Sequence, residues 1–352
     1  MTGKLSPADL DRYVFSRTGA PTDDLLVGPA YGEDAAAVRV GDETVVVSTD
    51  PISLAAERIG TLGVAIVSND VAASGGVPEW LVSTIVLPER DLDLLDTITA
   101  QLHEEATRLG ITIVGGHTEA VGALSRPLLS LTCLGPTDRY VSTSGAEPGD
   151  GVVLTKGAGV EGTAVLATDF RGDLESKGVD PETIDAAAGF FDDVSVLPEA
   201  LTLGGVATAM HDPTEGGVLG ALVELARASD VSIAVERDSI PIRAETRTLC
   251  DAMGVDPLRI LGSGALLAAV PEGDTAAALS ALDAADVEAT VVGRVLDAAE
   301  SPSDEPMSEP ESTESDSTDP GAAESGGTKP GVTIDGEHYT DPVRDDMYDL
   351  WE

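Results

Sequence analysis

Hydrophobic positions change period repeatedly along the chain, and each change marks an element. Residues 44–49 (TVVVST), 81–87 (LVSTIVL), 127–135 (PLLSLTCLG) and 152–155 are short, largely apolar runs that read as strands. Pro51 follows Asp50 and is expected to end the first run. Residues 6–18 read as a helix, with Ser6 as its cap, Pro7 at its first position and Gly19 after its end. Over 91–109, Leu92, Leu95, Ile98, Leu102 and Leu109 recur on one helical side, and Gly110 stops the pattern. A short strand over 111–114 leads into GGHTEAV. A helix is expected to begin near Glu161, and another to cover 181–192; the stretch 206–211 runs into HDPTEGG. Helix 216–229, strand 231–236, helix 243–253, strand 264–270, helix 272–285 and strand 287–295 then alternate. The pattern predicts an α/β (α+β) protein.

One stretch departs from alternation. Residues 59–78 (IGTLGVAIVSNDVAASGGVP) are apolar on every side, and Asp70 is their only charged residue. They predict a buried helix over 60–74 that stops at Gly75-Gly76 and Pro78. A buried carboxylate is costly unless a cation or hydrogen bonds offset it. Asp70 is therefore either a cation ligand or a cap on nearby backbone.

Composition sets the frame. The 352 residues suit two domains, with a turn cluster at 145–151 (GAEPGDG) between them. We expect domains over 1–145 and 146–297, a disordered acidic insertion over 298–330, and a tail over 331–352. The tail regains aromatics (Tyr339, Tyr348 and Trp351) in a chain that is only 3% aromatic, so it is expected to dock on the body. Net charge is −43; segment 299–325 carries nine of the 63 acids and no base, so 54 acids against 20 bases remain elsewhere. Acidity this widely spread argues against nucleic acid and anionic membrane as partners, and suits a high-salt cytoplasm. Cys133 and Cys250 belong to no metal or disulfide pattern. No signal peptide or membrane-length apolar run is read, so a cytoplasmic location is expected.

Four carboxylates stand beside glycines at the ends of expected elements: Asp34, Asp50, Glu119 and Asp212; Asp70 makes a fifth. Taken singly, Asp34, Asp50 and Asp212 read better as turn or cap residues. Together they form the oxygen-rich donor set that Mg²⁺ takes alongside substrate phosphates and water. Glycine turns at 157–163 and 215–217 precede helices, where backbone N–H groups can meet phosphate oxygens. Lys156 and Arg58 are the candidate phosphate cations, with a solubilising surface charge as the reading favoured for Arg58.

In order, GEDAAAV, STDP, SNDVAASGGVP, GGHTE, GDGVVLTK and HDPTEGG resemble the aminoimidazole ribonucleotide (AIR) synthase superfamily over roughly residues 1–295. Its relatives include the hydrogenase-maturation protein HypE, selenophosphate synthetase and thiamine-monophosphate kinase. GGHTEAV and KGAGVEGTAVLA look nearest to archaeal AIR-synthase-related, HypE-like proteins. The resemblance implies a two-domain PurM-like fold: an N-terminal α/β domain for dimerisation and ATP binding, and a C-terminal α/β domain. It implies a homodimer, ATP and Mg²⁺ as cofactors, and a substrate oxygen activated through a phosphorylated intermediate. Phosphoryl transfer of this kind asks for charge neutralisation and positioning. By position, Asp34, Asp50, Asp70 and Asp212 are the implied metal ligands. Gly32, Glu33, Asp34, Asn69, Gly115, Gly116, Gly157, Gly159, Gly216 and Gly217 are the implied nucleotide-binding residues. His117, Glu119 and Lys156 are the implied catalytic residues.

The chain departs from the family pattern twice. GGHTE stands where several relatives have GGDT or GGET, so His117 replaces a carboxylate and Glu119 follows on the same strand face. An imidazole there suits general-base work or a structural hydrogen bond, and the same holds for His211. HypE proper ends in a Pro-Arg-Ile-Cys tail whose thiolate accepts a carbamoyl group; here the sequence reads YDLWE and no cysteine follows Cys250. The expected substrate is thus an unidentified small molecule or protein-borne group. The alternatives are a thiamine-monophosphate-kinase-like small-molecule kinase, or a non-catalytic nucleotide-binding assembly protein with 299–330 as its arm.

Overall fold

The computed structural model describes residues 3–53, 57–298 and 329–351. Two mixed sheets organise them. The first contains β1 (Leu25–Val27), β2 (Ala36–Val40), β3 (Glu43–Ile52), β4 (Trp80–Leu87), β5 (Thr112–Ala120) and β6 (Leu128–Thr137), in the order β1-β2-β3-β6-β4-β5. Neighbours are antiparallel except the edge pair β4 and β5. Three helices belong to this half: α1 (Pro7–Leu10), α2 (Ile59–Ala73) and α3 (Leu92–Leu109). Asp91 caps α3 by accepting from the N–H groups of Asp93 and Leu94, and Gly110 closes it in a left-handed conformation.

The second sheet contains β7 (Gly151–Thr155), β8 (Ala209–His211), β9 (Ser232–Val235), β10 (Leu267–Val270), β11 (Ala289–Leu296), β12 (Gly331–Ile334) and β13 (Glu337–Tyr339). Its order is β13-β12-β9-β11-β7-β10-β8. Leu296 at the end of β11 and Gly331 at the start of β12 both pair with Ser232, on opposite sides of β9. The accompanying helices are α4 (Val160–Asp169), α5 (Arg171–Ser176), α6 (Pro181–Ala188), α7 (Leu197–Leu203), α8 (Gly217–Ala228), α9 (Ala244–Met253), α10 (Thr275–Ala284) and α11 (Tyr348–Trp351).

Helix α2 holds the two halves together. All its residues are buried, as an all-round apolar surface requires. One continuous core joins Leu62, Val64 and Val67 of α2 to Leu81, Leu129 and Leu131 of the first sheet. The same core takes in Leu166, Ile184, Phe191, Leu249 and Met347 from the second half. Each fully buried Leu, Ile or Val stabilises by about 1.5–3 kcal/mol relative to exposure. Asn69 adds a polar clamp: its amide donates to the Val194 carbonyl at 2.9 Å and accepts from the Val196 N–H at 2.8 Å.

Several boundaries differ from the sequence expectation, each for a local reason. The first helix stops at Leu10, and Asp11–Phe15 form a wider helical turn. Strand β3 runs through Asp50 and Pro51 to Ile52. β2 flanks it only as far as Val47, so Pro51 lies where the ladder has one neighbour and its missing N–H is tolerated. GGHTE lies within β5, which continues to Ala120 because β4 pairs with it from Trp80 to Leu87. Gly116 allows that approach: a Cβ there would meet the Ser83 carbonyl at 2.1 Å. Helix α6 ends at Ala188, and a tight turn covers Gly189–Asp193. β10 starts at Leu267, three residues past Gly264, whose φ of +102° ends the preceding turn. The tail does dock, with Met347 buried and Trp351 packed on Phe170 at 5.6 Å. The expectation of disorder over 298–330 falls mostly on 299–328, outside the described residues.

Candidate nucleotide and metal site

A cavity of about 410 Å³ opens where α2, β3, the turn before β2 and the turns leading into α4 and α8 converge. Its walls include six carboxylates: Glu33, Asp34, Asp50, Asp70, Glu161 and Glu215. Lys4, Ser53, Thr214, Ser263 and Tyr348 complete the polar lining, and Ile52, Ile66 and Leu261 supply apolar wall. Asp50 arrives on β3 and Asp70 on α2; Gly32, with φ +84°, turns the chain so that Glu33 and Asp34 face inward. The Ser48 hydroxyl bridges, 2.5 Å from Asp70 Oδ2 and 3.0 Å from the Asp34 carbonyl.

The aspartates repel one another through little solvent. Burial pushes Asp50 up to about 6. Burial, then the charges of Asp50, Asp212 and Asp34, hold Asp70 well above the ordinary carboxyl range. Asp212 follows β8 and is fully buried; burial and the charge of Asp34 push it up to about 8. Both Asp212 carboxylate oxygens are buried with no hydrogen-bond partner. A buried acceptor left this way costs about 1–3 kcal/mol, and more when ionised. Hard oxygen donors with unspent lone pairs fit Mg²⁺, and a cation would offset the repulsion. Among the described residues no three His, Cys, Asp or Glu side chains converge on one ion position. The set therefore fits an ion whose remaining ligands are phosphate oxygens and water.

Behind the aspartates lies a buried relay. His211 Nδ1 is 2.6 Å from Asp34 Oδ2, and its Nε2 is 3.0 Å from Glu224 Oε2. Burial lowers the His211 pKa, but Asp34 and Glu224 outweigh that and raise it well above its ordinary value. Burial alone would raise Glu224; Lys4 and His211 overcome this and bring it to about 2. His211 is thus a structural imidazolium that fixes Asp34. Glu33 is held by the hydroxyls of Tyr140, at 2.9 Å, and Ser142.

The remaining sequence candidates divide. Lys156 does not reach the cavity: its ammonium lies 2.8 Å from buried Glu199 and donates to the carbonyls of Asp193 and Ser195. Arg58 lies over the Phe191 ring at 5.3 Å, outside the lining. Asn69 has both ends of its amide engaged in the clamp to Val194 and Val196. Gly157, Gly159, Gly216 and Gly217 all have positive φ, and a Cβ on any of them would lie within 2.8 Å of a neighbour. Their turns are therefore close-packed, and several N–H groups expected to face phosphate are taken. Glu161 and Gly162 donate to the carbonyls of Ser263 and Leu261, Gly217 to that of Thr214, and Gly216 to the Asp345 carboxylate. Gly115, Gly116, His117 and Glu119 lie on the exposed edge strand β5, away from the cavity lining. There His117 Nε2 and Glu119 Oε2 are 3.9 Å apart, on one face as the strand period requires.

Lys4, Glu161, Glu215, Ser263 and Tyr348 were not singled out from the sequence. For the two glutamates a signal existed, an acid beside each glycine turn; for Tyr348 the aromatic tail announced docking but not where; for Lys4, brought in by the N-terminal segment, there was none. Burial pushes Glu161 up to about 7, against a hydrogen bond that Ser263 supplies.

The AIR synthase related protein family matches the chain twice, its N-terminal domain over 32–137 and its C-terminal domain over 147–302. The chain is 31% identical over 290 residues to the carbamoyl dehydratase HypE of Rhodobacter capsulatus, covering 80% of this chain and 82% of that one. A crystal structure of hydrogenase maturation protein HypE in complex with ATP superposes with a TM-score of 0.62 at 25% identity, covering 84% of this chain and 85% of that one. Thiamine monophosphate kinase from Aquifex aeolicus shares the fold, with a TM-score of 0.62 at 19% identity, covering 87% and 92%.

Proposed function

This chain belongs to the AIR synthase related family, near HypE, and we propose that it is an ATP- and Mg²⁺-dependent enzyme activating a substrate oxygen by phosphorylation. The observation that carries this reading is the convergence of Asp34, Asp50 and Asp70 on one cavity; Asp212 is buried outside its lining, close enough to raise Asp70 and with both carboxylate oxygens unpartnered. Asp34, Asp50, Asp70 and Asp212 would hold Mg²⁺, which would neutralise phosphate charge. The substrate oxygen attacks the γ-phosphorus, the bond to the β-phosphate oxygen breaks, and ADP leaves. The phosphorylated oxygen is then a good leaving group, which suits amide-like substrates. Neither cysteine lines the cavity; burial pushes both Cys133 and Cys250 up to about 12, so the acceptor on this reading is no thiol of the described chain.

The charge of the lining supports this reading over the kinase alternative. An acceptor that is itself a phosphomonoester would add negative charge to a wall of six carboxylates and one ammonium. An uncharged amide-like acceptor meets no such repulsion. A homodimer built on β5 is part of the same reading. The strand is exposed along its whole length, and Trp80, Val82, Ile113 and Val114 are exposed apolar residues of β4 and β5, the pair at this edge of the sheet. In the dimer, His117 and Glu119 would lie near the interface between copies. Titration calorimetry with ATP and Mg²⁺ in molar KCl tests the proposal. Wild type is expected to bind and Asp70→Asn to bind at least tenfold more weakly; equal binding by both proteins removes Asp70 from the site.

A further inference from the structure

The cavity wall contains one cation among the described residues, and it is Lys4. Its ammonium is 3.2 Å from Glu215 Oε2 and 3.9 Å from Glu224 Oε1, and donates to Thr214 Oγ1 at 3.2 Å. The side chain is half exposed, so the charge stands at the mouth, within reach of a ligand. It is near enough to Asp34 and Asp50 to act on both electrostatically. The segment carrying it is anchored at both ends. Gly3, with φ +126°, packs against Tyr348, where a Cβ would come within 2.8 Å of the ring; Ser6 caps α1 by accepting from the Asp9 N–H.

As a structural ion pair this arrangement is weak, because a half-exposed ammonium beside carboxylates contributes about 0–1 kcal/mol. Its position is more informative. A triphosphate entering a wall of carboxylates needs positive charge from two directions, and the aspartates can recruit it only through a metal. The two lysine and arginine candidates read from the sequence are committed elsewhere, Lys156 to Glu199 and Arg58 to Phe191. We infer that Lys4 is the phosphate-binding cation of the site, its ammonium moving from Glu215 and Thr214 to the terminal phosphate of bound ATP. A lysine point charge on a flexible stem suits that exchange of partners. The relay Lys4–Glu224–His211–Asp34 places the cation and the first aspartate on one hydrogen-bonded and ion-paired frame, so that both present to the same ligand.

This inference rests on the nucleotide reading above, and one experiment distinguishes the failure of each. Mg²⁺-ATP and Mg²⁺-ADP are titrated calorimetrically into wild type, Lys4→Met and Lys4→Arg, and the melting temperature of each protein is recorded. Wild type is expected to prefer ATP. Lys4→Met should lose on the order of 10- to 100-fold in ATP affinity, the worth of one charged hydrogen bond, with ADP affinity nearly unchanged. Lys4→Arg should recover much of the preference. A wild type that binds neither nucleotide overturns the nucleotide reading and this inference with it. A wild type that binds ATP beside a Lys4→Met protein with the same ATP-to-ADP ratio overturns Lys4 alone. Equal loss of both nucleotides together with a lowered melting temperature assigns Lys4 to structure and also overturns it.

Discussion

Asp70 faces two opposing demands: its helix must be apolar all round to be buried, and its carboxylate must stay close to three others. The second demand has a measurable consequence. Burial, with the neighbouring carboxylates adding to it, pushes Asp50 up to about 6 and Asp212 up to about 8, and burial likewise pushes Glu161 and Asp345 up to about 7. Carboxyls in an unfolded chain titrate near ~4. The native state therefore holds more protons than the unfolded state between about pH 4 and 8, and stability falls as pH rises through that window. Without divalent cations, the denaturation midpoint in molar KCl is expected to be higher at pH 6 than at pH 8. Mg²⁺ with ATP should narrow the gap by favouring the ionised aspartates, and a flat profile in their absence would contradict these shifts. At this scale the sequence was legible where a residue stood out from its surroundings, as Asp70 does in 59–78. It was not legible where tertiary placement decides. Lys156 and Lys4 are alike as letters. The Lys156 backbone, at φ +55°, turns its ammonium toward Glu199, while Gly3 allows Lys4 to reach the cavity.

Among the elements, β5 and the β12–β13 hairpin show what a periodic pattern misses. A short strand over 111–114 was expected to lead into GGHTEAV. In the structure Gly116 lets β5 lie close to β4, and the strand runs on. The hairpin did carry a signal that went unused: Asp335-Gly336 between two β-branched and aromatic runs, with φ of +51° and +87°, the two-residue turn that matches strand twist. For β5 the open edge leads to an oligomer prediction. Val114 on this strand is 56% exposed. Wild type is expected to be a dimer by light scattering. Val114→Lys would bury an unpaired charge in that interface, and should raise the dimer dissociation constant on the order of 100-fold. A Val114→Lys protein as dimeric as wild type would exclude this face. Activity assayed on the separated monomers would then report whether His117 and Glu119 act across the interface.

For the molecule as a whole, the α/β alternation and the buried helix 59–73 were readable because both follow from local hydrophobic period. The meeting of six acidic side chains from distant segments was not, since no spacing records which turns face one cavity. The order of the second sheet has a practical consequence. With Leu296 and Gly331 both opposite Ser232, the two chain ends that frame 297–330 are one strand apart, roughly 10 Å across the sheet. A handful of residues bridges that distance, so the fold offers a splice point. Replacing 297–330 with a six-residue linker should leave both sheets intact and shorten the connection more than fivefold, a gain of about 1.5 kcal/mol in closure entropy if the connection is a flexible chain. Chemical denaturation of the shortened chain checks this, and a loss of similar size would show that the removed residues brace the hairpin. The same port would accept a folded reporter whose termini lie close together.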